Sequence, residues 1–229
     1  MSAAVTAFCI ALTVGAYALS RVIGKRFPSP FTVPVFLSTP VIMVVLVVTG
    51  TGLTGYAQAQ SIMSWFLGPA TVALAVPLYR NRRVLVDHWR AMSVGLVVGV
   101  LSTMVSAIAL ARLLGLPPQL QAALSIKSAT APVAIALAPA VGAAPALVAA
   151  FAILTGLIGS MAGPWLLARA RVSEEVARGE ALGVISHGQG TAQALTEGEL
   201  TGAAASVAMG SAAVLTALLA PTMVAWFAG

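Results

Sequence analysis

The polar side chains Ser186, His187, Gln189, Thr191 and Gln193 fall within one stretch, GVISHGQGTAQALTEGE (Gly183 to Glu199), set between two strongly apolar ones. Each unsatisfied polar group in hydrocarbon costs several kcal/mol, so such a cluster needs partners or a ligand. His187 has three readings: it binds an anion, it carries a proton, or it hydrogen-bonds across helices. Gly188 and Gly190 bracket Gln189, and this spacing predicts a sharp turn that leaves backbone amides unpaired for a ligand. Ser186 precedes the histidine without an acid to complete a triad, so hydrolysis is not expected and the chain is not read as an enzyme. Glu197 and Glu199 are placed at the exit of the segment, solvated or paired with Arg178, with proton coupling as a second reading of Glu197. His88 is the only other histidine. No metal site and no cofactor are expected.

A second constellation occupies Ser125 to Pro139, SIKSATAPVAIALAP. Lys127 is the only charge between Arg112 and Arg169. A cation at bilayer depth costs roughly 2.5 to 3.5 kcal/mol, so it either meets an anion or a buried carboxylate, or snorkels to the interface. Ser128 and Thr130 either donate hydroxyl hydrogen bonds to a carboxylate or bond back to their own helix. Pro132 is expected to break the helix and free amide groups to point the same way.

What must position these residues is a membrane fold. The 229 residues are 59% hydrophobic and 8% charged, with a mean hydropathy of +0.99, too few charges to cover a soluble domain. The chain reads as an all-α, polytopic integral membrane protein with about six to eight membrane segments. A net charge of +6 would suggest nucleic acid in a soluble protein, but the bases sit in short loops beside apolar spans, as topology signals. Nucleic acid is therefore not an expected partner, and the lipid bilayer is. Cys9 is the only cysteine and reads as helix filler. Arg21, Lys25 and Arg26 follow the first apolar run, which argues for a retained first helix with its carboxyl end inside.

Spans are expected over Ala3 to Leu19, Val33 to Thr49, Ser61 to Tyr79, Ala91 to Ala111, Pro145 to Ala168 and Gly202 to Phe227. The uncharged stretch GTGLTGYAQAQ reads as an external loop, and Arg80 to Arg90 as the most cationic, internal one. LGPATVALAVP, with Pro69 and Pro77, predicts a kinked or broken helix. Pro145 to Ala168 ends at Arg169 and Arg171 and so runs inward, although Ala91 to Ala111 has already delivered the chain outside. Gln121 to Ala144 must start and finish on one side, as a re-entrant hairpin with its tip near SATAP. By the same count Glu180 to Glu199 enters from the cytoplasm and returns to it. This scheme leaves Arg112 on the outer side.

The two hairpins also look like one device used twice. Ala123, Ser128, Ala134 and Leu137 match Ala181, Ser186, Ala192 and Leu195 at a constant offset of 58 residues. Units 121–168 and 179–227, each a hairpin plus a span, would be inverted within a single 1–229 transmembrane domain. Secondary transporters use that arrangement to place broken segments around a substrate. Small carboxylates suit it, worked by alternating access between the hairpin tips.

KSATAPVA (Lys127 to Ala134), ILTGLIG followed by GP (Ile153 to Pro164), LGPATVALAVPLY (Leu67 to Tyr79) and RGEALGVISHGQGTAQALTEGELTGAAASVAM (Arg178 to Met209) resemble the LrgB/CidB family of bacterial membrane proteins. Gln189 stands where that family usually has an apolar residue, and Gln193 where it often has a basic one. The resemblance implies a multi-pass protein of the bacterial inner membrane and a small LrgA/CidA-type membrane partner. It also implies movement of glycolate, glycerate or pyruvate, or a holin/antiholin-like control of murein hydrolases and lysis. Assembly of the chain with itself is expected alongside.

Overall fold

The computed structural model describes residues 3–27 and 29–228. They are helical with no strand among the described residues, and five helical stretches are long and apolar enough to cross a membrane. These are Ala3–Arg26, Gly52–Arg80, Trp89–Leu113, Pro145–Arg169 and Glu199–Trp226, with shorter apolar helices at Pro34–Val48 and Ala131–Val141. Large apolar side chains such as Leu113 (83% exposed) and Leu218 (70% exposed) face outward. Side chains of that size are stable outward only against lipid or a partner. The expected all-α membrane architecture is what the chain adopts.

The chain forms two compact units, Met1–Ala75 and Val76–Gly229. In the first, α1 (Ala3–Arg26) packs on α2 (Pro34–Val48) and α3 (Gly52–Trp65), which α4 (Leu67–Ala73) follows. Its core is Cys9, Leu46 and Ala59. Without a hydrophobic force between helices in lipid, interhelical hydrogen bonds matter more. Thr6 Oγ1 donates to Gln58 Oε1 at 3.0 Å, and the Thr13 and Tyr56 hydroxyls meet at 2.9 Å. Cys9 is buried filler, as its place in the apolar run predicted.

One expectation fails here: GTGLTGYAQAQ is not a loop. Its turn is confined to Thr49–Thr51, where Gly50 and Gly52 take positive φ (66° and 61°), and α3 starts at Gly52. Leu53, Ala57, Gln58 and Gln60 are good helix formers, and Tyr56 and Gln58 have partners on α1, so packing recruits the segment into a helix. The predicted interruption after it is present, because the helix stops at Trp65 and again at Ala73.

The second unit runs through α5 (Ala75–Arg80), α6 (Arg82–Asp87), α7 (Trp89–Leu113), α8 (Pro118–Ser125), α9 (Ala131–Leu137), α10 (Pro145–Arg169), α11 (Glu175–Glu197) and α12 (Glu199–Ala228). The cationic stretch after Tyr79 is thus a helical turn, α6, rather than an open loop. Asn81 Nδ2 and His88 Nδ1 each bond a carbonyl one turn back, closing it. Arg112 hydrogen-bonds Gln121 Oε1 at 3.4 Å across the α7–α8 turn. α7, α10, α11 and α12 pack around a core of small residues in which Ala152, Ala208 and Ala212 allow close approach.

Candidate functional site

α11 is helical on both sides of His187, yet His187 itself takes φ 41° and ψ −124°. A straight helix would hold Arg178 and Glu197 roughly 28 Å apart at ~1.5 Å per residue. Instead Arg178 Nε lies 2.8 Å from Glu197 Oε2, and a Cβ on Gly198 would stand 3.0 Å from Glu175 Oε1. The segment is therefore a hairpin whose ends meet, with His187 at its tip. The expected reversal is real, but its place differs: Gly188 and Gly190 do not have positive φ. Gly190 serves close approach, since a side chain there would run into the Leu182 carbonyl and Ser186 Cβ of the opposite arm. A histidine in this region costs about 1 to 3 kcal/mol, so the surroundings must hold it.

α10 does the holding. Gly156, Gly159 and Gly163 recur on one side of that helix, and the first arm of α11 runs antiparallel along them. Leu182 lies against Gly163, Ser186 Oγ against Gly159, and the His187 ring and Gln189 amide against Gly156. His187 Nε2 donates to Ala152 O at 2.9 Å; a carbonyl only accepts, so Nε2 carries the proton. Arg169 to Ala152 measures roughly 25 Å along α10 at ~1.5 Å per residue, against a hydrocarbon core of ~30 Å. The tip thus reaches well past the midpoint of α10. There Ser186 Oγ and Gln189 Oε1 are buried without a hydrogen-bond partner among the described residues. Thr191 is not free: its hydroxyl donates to His187 O at 2.9 Å and lies 3.4 Å from Ala205 O. Gly188 is exposed, with nothing within 4 Å of a Cβ.

The other bend is built from α8 and α9. Pro117 and Pro118 open α8, which stops at Ser125; Ile126 to Thr130 form the bend, and α9 starts at Ala131. The chain then packs its 3-10 turn Ala138–Val141 back on α8, so this segment also reverses, with Gly142 (φ 70°) leading into α10. Pro132 sits in the first turn of α9, where proline is tolerated, so it starts a helix and does not break one. Lys127 Nζ donates to Ser128 Oγ at 3.2 Å, and no carboxylate is within ion-pair range among the described residues. Thr130 precedes α9 without capping it through its side chain.

Ile126 and Ala129 of this bend share one core cluster with Val148, Ala152 and Val184, so both reversals converge on the same stretch of α10. No direct hydrogen bond joins Lys127, Ser128 or Thr130 to Ser186, His187 or Gln189. Glu197, one candidate for proton coupling, is engaged by Arg178. Sequence reasoning passed over the glycine face of α10, whose signal was the spacing of Gly156, Gly159 and Gly163 on one helical side. It also passed over Glu180 as anything beyond a flanking residue.

Two helical reversals carrying polar tips, set among long apolar helices, define a polytopic membrane protein with broken-helix sites. The LrgB-like family profile matches residues 13–226, and the chain belongs to that family. "Uncharacterized protein YxaC" of Bacillus subtilis (strain 168) is 36% identical over 222 residues, covering 97% of this chain and 96% of that one. "Uncharacterized protein YwbG" of the same strain is 32% identical, covering 94% and 96%. "Holin-like protein CidB" of Staphylococcus aureus (strain N315) is 31% identical over 218 residues, covering 95% of each. No solved structure matches.

Proposed function

We propose that the protein carries small monocarboxylates of the glycolate, glycerate or pyruvate class across a bacterial inner membrane, by alternating access around the two bends. The observation that carries this reading is Lys127, a cation at a helix bend whose side chain, among the described residues, hydrogen-bonds the Ser128 hydroxyl and has no acidic neighbour in ion-pair range. Such a charge is best explained by an anion that visits. Ser186 Oγ adds an unused donor at the other bend, and the Gln189 amide offers either its oxygen or, turned over, its NH₂. The role proposed is binding and translocation without catalysis, because Ser186 has no acid to complete a triad.

The holin-like name of the Staphylococcus relative supports a second reading, in which the chain assembles with itself or with a small LrgA/CidA-type membrane protein to regulate lysis. Uptake of labelled glycolate, glycerate and pyruvate into proteoliposomes, with and without such a partner, separates the two. Saturable uptake of at least one is expected; its absence in every preparation would sink the transporter reading and leave the regulatory one.

Alternating access also needs the two reversals to enter from opposite sides, as inverted units 121–168 and 179–227. Single cysteines at the exposed positions 144 and 197 in the Cys9→Ala background are expected to react with impermeant reagents from the outer and the cytoplasmic side, respectively. Reaction of both from one side would end the inverted arrangement.

A further inference from the structure

A cavity of about 320 Å³ lies away from Lys127 and His187, between α6, α7, α12 and the first arm of α11, and Glu180 is in its wall. The walls are mostly apolar, with Leu96 and Val207 among them and the hydroxyls of Ser93 and Ser211 as polar groups. Glu180 lies flat against Gly95 of α7, where a Cβ would come within 2.6 Å of Oε1 and 2.9 Å of Oε2. Its Oε1 is buried and has no hydrogen-bond partner among the described residues.

Neighbouring carboxylates are situated differently: Glu175, in the first turn of α11, is exposed. Glu174 caps α11 through Val176 N and Ala177 N, Glu197 pairs with Arg178, and Glu199 at the start of α12 pairs with Arg80. Arg82 lines the same cavity from α6, but its guanidinium stacks over the Tyr79 ring at 4.1 Å and donates to Tyr79 O. From the N-cap of α11, Glu174 adds a like charge. The surfaces that α7 and α12 turn to the cavity carry no charge. A carboxylate with one oxygen buried and unpaired in such surroundings is destabilised when ionised, which favours uptake of a proton or a cation. Two serine hydroxyls and one carboxyl are too few oxygens for a dehydrated metal ion, which takes about six.

We propose that Glu180 is a proton-exchanging carboxyl, loaded and unloaded through this cavity, and that its proton is the ion coupled to movement of the α11 hairpin. The step is a transfer between hydronium in the cavity and one carboxylate oxygen, with no other bond changed. The protonated side chain keeps its seat against Gly95, and the ionised one is drawn out to water, so the proton distinguishes two packings of α11 on α7. Because Ser186 and His187 belong to the same arm, that difference reaches the tip. The coupling half of the proposal rests on the transporter reading; the protonation half does not.

Infrared difference spectroscopy of the full chain in lipid nanodiscs tests the site without any transport. A protonated-carboxyl band that titrates with pH, shifts on ¹³C-glutamate labelling, and is lost in Glu180→Gln but kept in Glu199→Gln is expected. No titrating glutamate band in the wild type overturns the proposal even where the variant does not fold, and so does a band that answers to sodium but not to pH. In proteoliposomes tested with glycolate, glycerate and pyruvate, an inward proton gradient should raise wild-type uptake of the carried substrate at least tenfold more than it raises uptake by Glu180→Gln. An equal rise in both overturns the coupling, whereas no wild-type uptake at all, with the band present, fails the transporter reading and leaves the protonation site standing.

Discussion

Lys127→Ala should abolish carboxylate uptake while the protein still folds and reaches the membrane. Truncating one partner of a desolvated, hydrogen-bonded charge pair costs about 2 to 5 kcal/mol, a loss of thirtyfold or more in affinity. The structural cost should be small by comparison, because among the described residues Lys127 gives up the Ser128 hydrogen bond and has no ion pair to break. Removing a cation that no carboxylate neutralises also relieves a desolvation cost, so stability should hold or rise slightly. Lys127→Arg should keep the charge but misplace it, with partial uptake. The measurement is concentration-dependent uptake by wild type and variants at matched amounts of folded protein. Unchanged half-saturation and maximal rate in Lys127→Ala would make Lys127 a snorkelling residue and remove the main support for an anion site.

Gly183→Val should be strongly destabilising to the second unit. A Cβ at Gly183 would overlap the Ala205 carbonyl oxygen and stand 2.9 Å from its Cα, both main-chain atoms of α12 that no rotamer change can move. Gly179 is in the same position against the Thr201 carbonyl, so Gly179 and Gly183 form a small-xxx-small contact with Thr201 and Ala205. Overpacking of this kind typically costs about 1 to 3 kcal/mol, and the upper end is expected where only backbone is available to give. Gly210→Ala is the matched control, because nothing lies within 4 Å of its Cβ and the helix gains about 0.5 to 1 kcal/mol of propensity. Thermal unfolding in detergent should show a large drop for Gly183→Val and none for Gly210→Ala. Similar midpoints for the two would mean that α11 and α12 do not pack through these glycines.

These two expectations rest on different levels of information. Lys127 was legible from the chain alone, because a solitary cation in a long apolar run is conspicuous under any folding. The long helices α7, α10 and α12, the interruption after Trp65 and the reversal of α11 were legible for the same reason: hydropathy, prolines and loop charge act locally and along one dimension. The role of Gly183 was not legible. Alanine and glycine recur throughout α11 and α12, and which of them touches a carbonyl depends on how one helix is rotated against another.

The same distinction separates the two ends of the α11 hairpin. Its polar composition, from Ser186 to Gln193, determined that this stretch could not be an ordinary lipid-facing span, since unpaired donors and acceptors are too costly in hydrocarbon. Only the tertiary structure decided that the chain turns at His187, because the Ala152 carbonyl and the glycine face of α10 pin a strained histidine that no local preference would choose. It also decided which glutamate has a buried oxygen without a partner among the described residues. Glu197 and Glu180 are alike as letters in the sequence, but Arg178 reaches the first across the closed base of the hairpin, and the second faces Gly95 and an apolar cavity. Composition settles what must be buried or solvated; the meeting of residues distant in sequence settles with whom.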